Sequence, residues 1–68
     1  MMGHKLLLVS SVGERDGMAI ELARESGERI AEVFEDDATG DRSLTVFLDG
    51  PVPLPLIEWL LTEADRQL

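Results

Sequence analysis

A hydroxyl or thiol becomes a useful nucleophile only with a base in hydrogen-bond reach. Here the raw material for that pairing is thin. The chain has no Cys and no Tyr, and its only histidine is His4. Ser10, Ser11, Ser26 and Ser43 supply hydroxyls. His4 stands close to the start of the sequence, and Ser10-Ser11 falls where an apolar segment gives way to a turn, which is ordinary turn composition. Gly13-Glu14-Arg15-Asp16-Gly17 has two glycines but lacks the lysine and the helix start of a phosphate loop, and neither a nucleophile elbow nor a dinucleotide fingerprint occurs. The expectation is a non-enzymatic chain with no catalytic residue and no cofactor.

Carboxylates are the abundant chemical group, and four of them, Glu35, Asp36, Asp37 and Asp41, crowd one short stretch. Oxygen-rich loops hold Ca²⁺ or Mg²⁺ when ligands alternate around a glycine at the sixth position. Counting from Asp37 the sixth residue is Arg42, and from Asp36 it is Asp41, so the pattern is absent. The stretch reads as a solvated acidic turn with Gly40 in the left-handed conformation. Without cysteine, and with one histidine, cysteine-ligated and multi-histidine zinc sites are excluded for a single chain. No metal ligand is assigned.

These residues sit on a chain of 68 residues with a net charge of -8. That length predicts one small domain, 1–68, whose core is limited. Disulfides are excluded, so a partner chain or unusually good packing must supply the missing stability. The 14 acidic against 6 basic residues disfavour nucleic acid and anionic lipid, and favour a basic protein partner. Apolar residues at 44% exclude a charged disordered tail. The longest apolar run, 6–9, is too short for a membrane span, and the opening residues do not make a signal peptide, so a cytoplasmic location is expected.

Turn signals at 13–17, 26–27, 36–41 and 49–53 separate short apolar segments, a pattern that predicts a strand meander. The expected strands are 5–12, 18–25, 28–35 and 42–48. In the first, Leu6 to Val9 are apolar on both parities, as in a strand covered on both faces. In the second, Met18, Ile20 and Leu22 alternate with Ala19, Glu21 and Ala23. In the third, Ile30 and Phe34 share a face, with Ala31 and Val33 on the other. In the fourth, Leu44, Val46 and Leu48 oppose Ser43, Thr45 and Phe47. A helix over 54–67 follows, with Pro55 in its first turn, Glu58 near its positive end and Arg66 near its negative end. Its core stripe is Ile57, Leu60, Leu61, Ala64 and Leu68, with Trp59 on a shoulder beside Leu56 and Thr62.

A βαβα arrangement competes, because 18–37 is rich in strong helix formers. Gly27 at the centre of that segment, and Ser26-Gly27 as a turn pair, favour strands. The resulting expectation is an α+β fold: a four-stranded antiparallel meander with one C-terminal helix packed on one face. Leu6, Leu8, Ile20, Leu22, Phe34, Val46, Ile57, Leu60 and Leu61 form the expected core.

One helix leaves a face uncovered, which predicts a homodimer, joined through that open face or a free edge of the sheet, and a small acidic protein-interaction module. The expected contact residues are Trp59, Leu56, Leu7 and Val9. An alternative is an acidic inhibitor or antitoxin-like protein that masks a basic nucleic-acid-binding surface. A third is a small-molecule or cation binder, which needs a concave pocket.

Overall fold

The computed structural model describes residues 3–11 and 16–68. Val12 and the rest of the first turn, 13–15, lie outside the described residues, as do Met1 and Met2. Four strands, β1 (His4–Ser11), β2 (Gly17–Arg24), β3 (Arg29–Asp36) and β4 (Arg42–Val46), precede one helix, α1 (Leu54–Gln67). The strands form one antiparallel sheet in chain order, β1-β2-β3-β4. This is the α+β meander with a C-terminal helix, and the βαβα alternative is not realised.

The turns explain why the middle of the chain is a hairpin despite its helix-forming composition. Gly27 has φ +99°, and its N–H donates to the Arg24 carbonyl at 2.8 Å. An L side chain resists that φ, so glycine at this position pins the reversal. At the next turn Gly40 takes φ +75°, as expected, and the Asp36 carboxylate accepts the N–H groups of Ala38 (2.8 Å) and Thr39 (3.2 Å). The Thr39 hydroxyl in turn accepts the Asp41 N–H at 3.1 Å. The acid-rich stretch therefore caps its own backbone.

Register assigns the faces. Leu6 pairs with Leu22 and Leu22 with Ala31; Leu8 pairs with Ile20 and Ile20 with Val33. These residues share the face on which α1 lies. The ladder shifts between Leu22 and Ala23, so that Ala23 meets Arg29 while Leu22 meets Ala31. Ile30 is the extra residue of that bulge. It turns into the helix-side core, while Phe34 goes to the opposite face. The expected pairing of Ile30 with Phe34 assumed unbroken alternation and is corrected.

The core is Ile20, Leu22, Ile30, Ala31 and Val33 from the two central strands, closed by Leu56, Leu60 and Ala64 of the helix. That spacing of four residues centres the buried stripe on Leu56 rather than Leu61. Leu61 is exposed, as are Leu8 and Val46, so three of the expected core residues are not core. The reason is width. A helix about 10 Å across covers about two strands spaced ~4.8 Å apart, and α1 rests on β2 and β3. Leu8 on β1 and Val46 on β4 point to the helix side but lie beyond its reach. The fourth strand also stops at Val46, with Phe47 and Leu48 leading into the Pro51–Pro53 approach. Pro55 occupies the first turn of α1, the Pro53 carbonyl accepts the Leu56 N–H at 3.0 Å, and Arg66 lies in the last turn. Glu58 falls past the first turn, which holds no acidic residue.

Candidate functional site

The face away from the helix is not the greasy plane expected of it. Its central rows read Leu7-Glu21-Glu32-Thr45 and Val9-Ala19-Phe34-Ser43. Ala19 is buried between Val9 and Phe34, and the Phe34 ring lies over Gly17. Glu32 is only 5% exposed and Glu21 is held by Arg29 at 3.4 Å. The Arg29 guanidinium also stacks 4.5 Å above the Phe47 ring, a cation–π contact. Small residues overhung by large ones, with charges at the centre, let this face finish itself.

Apart from Leu54 at the start of α1, the exposed large apolar side chains of the described residues lie on the two flanks of the sheet. On the β1 side Leu7 is 42% and Leu8 51% exposed, on opposite faces of one strand. On the β4 side Leu44, Val46, Phe47 and Leu61 are exposed. Leu44 and Leu61 line a groove of about 330 Å³ between β4 and α1. Its acidic end is organised by Arg42, which holds Glu35 at 2.7 Å and Asp65 at 2.9 Å. The hydrogen bond to Glu35 and the charges of both carboxylates raise the Arg42 pKa further above its ordinary value. This three-residue clasp ties β3, β4 and α1 together. Nothing in residue spacing along the helix announced Asp65; the Glu35–Arg42 half follows once the turn at 36–41 is read as a hairpin.

The expected contact residues divide. Leu7 is exposed and Val9 half-buried, both on the open face of β1. Trp59 is half-buried against the core. It lies about 200° around the helix from Leu61, which places it on the β1 flank. Leu56 is 6% exposed, so its surface is consumed inside the monomer and it is not available to a partner.

β1 has a further property. Just beyond the strand ends, the Glu25 N–H donates to the Gly3 carbonyl at 3.0 Å, one position past the His4–Arg24 pair, and so fixes the phase of the β1–β2 ladder. Alternation then directs the backbone groups of Lys5, Leu7 and Val9 towards β2, and those of His4, Leu6, Leu8 and Ser10 outward. β1 also carries no carboxylate in a chain that has 14. His4 and Ser10 are six residues apart on this one strand, about 20 Å, so they cannot act on one reacting atom. Among the described residues no group of three or more His, Cys, Asp or Glu is placed to hold a metal ion, and no helix is long and apolar enough to cross a membrane. No protein-family model, curated protein or solved structure matches the chain.

Proposed function

We propose that this chain is a non-enzymatic protein-interaction module that works as a homodimer, two copies joining antiparallel through their β1 edges. The observation that carries the reading is the β1 edge itself: eight residues long, free of carboxylates, with an outward row of backbone groups and exposed Leu7 and Leu8. Long apolar edges of this kind are templates for another strand. A two-fold axis normal to the sheet keeps both helices on one side and brings Leu6, Leu8 and the Trp59 flank of each copy together, an isologous contact. The β4 edge is shorter, at five residues, and opens on the ion-paired Arg42.

The test is sedimentation equilibrium at micromolar concentration. Wild type is expected at twice the 7.5 kDa chain mass. Leu8→Lys is expected at the monomer mass with its circular dichroism retained, and Leu44→Lys is expected to remain dimeric. A monomeric wild type, or dissociation by Leu44→Lys but not Leu8→Lys, overturns the reading. Salt adds an independent check. Each copy carries -8, so screening the mutual repulsion tightens the dimer. The alternative of an acidic surface masking a basic partner demands the opposite salt response in that complex.

A further inference from the structure

At the other end of the helix-side face, His4 of β1 and Arg24 of β2 stand directly opposite one another in the ladder. They are at the mouth of a cavity of about 430 Å³ whose apolar lining includes Ile30, Leu48, Val52 and Leu56. Ile30 reaches it because the bulge turns that side chain towards the helix, and the Pro51–Pro53 approach closes the far wall. Among the described residues no carboxylate lines this cavity, although acidic residues make up 14 of the 68. The volume lies within the range of small-molecule sites, about 300–1,000 Å³.

We propose that this cavity is a binding site for a small amphipathic carboxylate, an aliphatic or aromatic body bearing one carboxylate. The body would replace water against Ile30, Leu48, Val52 and Leu56, and the charged end would meet the Arg24 and His4 pair. Arg24 has the donors to do this. Glu28 pairs with its Nε at 3.0 Å, and the guanidinium has further N–H donors on its terminal nitrogens that can donate to a second carboxylate. A cationic ligand finds no counter-charge among the described lining residues, and a neutral one adds no charge partner to Arg24 beyond Glu28. The cavity is lined by residues of one chain, but His4 also lies on the β1 edge proposed for pairing; octanoate binding by the Leu8→Lys monomer keeps the two readings distinguishable.

Amide NMR spectra of the full chain, titrated with octanoate, octanol and octylamine, test the assignment. Octanoate is expected to give saturable shifts confined to the amides of the lining residues, and octanol and octylamine to give none at the same millimolar concentrations. Arg24→Gln is expected to weaken octanoate at least about tenfold, the scale of one charge-assisted hydrogen bond. Arg29→Gln, on the opposite face, is expected to leave it unchanged. The same spectra report whether each variant keeps the dispersed signals of a folded sheet. Absence of saturable shifts with octanoate, equal binding of octanol or octylamine, or indifference to Arg24→Gln overturns the proposal.

Discussion

Gly17 begins β2 directly beneath the Phe34 ring, and this packing permits a sharp test of the structure. A Cβ added at Gly17 would lie 2.6 and 2.9 Å from two carbons of that ring, and far inside van der Waals contact of the Glu35 carbonyl oxygen. Phe34 can rotate away, but the carbonyl belongs to the β2–β3 ladder and moves only if the strands separate. Overpacking of this kind costs about 1–3 kcal/mol, and a clash with backbone belongs at the upper end. A domain of this length has roughly 3–10 kcal/mol of total stability. Gly17→Ala should therefore remove about 2–3 kcal/mol, with Tm falling by roughly 10–20 °C. The measurement is thermal and urea unfolding by circular dichroism, at one fixed protein concentration because association contributes to apparent stability. Repeating the substitution in a Phe34→Ala background separates the two obstacles, and most of the loss should persist there. A Gly17→Ala protein within about 0.5 kcal/mol of wild type, the usual scatter of surface substitutions, would refute the close approach of β2 to the Glu35 carbonyl.

Two further outcomes follow from single contacts. The Glu63 carboxyl is held below its ordinary 4.5, first by the hydrogen bond from the Gln67 side chain and then by Arg66. Its contribution to stability is present above 4.5 and is lost as pH falls through the lower folded-state value; carboxyl carbon NMR should show that lowered midpoint, and Gln67→Ala should move it upward. Ser10→Pro removes an outward N–H without touching the β1–β2 ladder. Its sheet spectrum should survive while its sedimentation shifts towards monomer, and an unaltered dimer would remove the β1 edge from the interface.

Much of the architecture could be read from local chemistry. Turn glycines, period-two alternation at 18–22 and the Pro55 helix start are each decided by a few adjacent residues, and the structure places strands and helix accordingly. What escaped was decided by distance across the sheet. Whether Leu8, Val46 and Leu61 are covered depends on a helix being two strands wide, which no alternation pattern encodes. The bulge at Ile30 is a one-residue slip whose trace in the sequence was the imperfect alternation of 28–35. The open face misled for a related reason: Ala19 and Ala23 look like weak apolar positions, but a small residue between two large ones is buried by its neighbours. Of the two contact surfaces expected, the open face and a free edge of the sheet, the exposed apolar side chains favour the edge, and Leu56 belongs to the core.

Because the sheet runs in chain order, every strand finds its partner across the nearest turn. Such a topology keeps sequence separation between contacts low, which for a β-rich domain favours rapid folding. α1 follows all four strands in the sequence, and its docking is what covers the helix-side face of the sheet. Until that step Ile20, Leu22, Ile30 and Val33 face water, and this interval is when the nascent chain is most vulnerable to sticking to its neighbours.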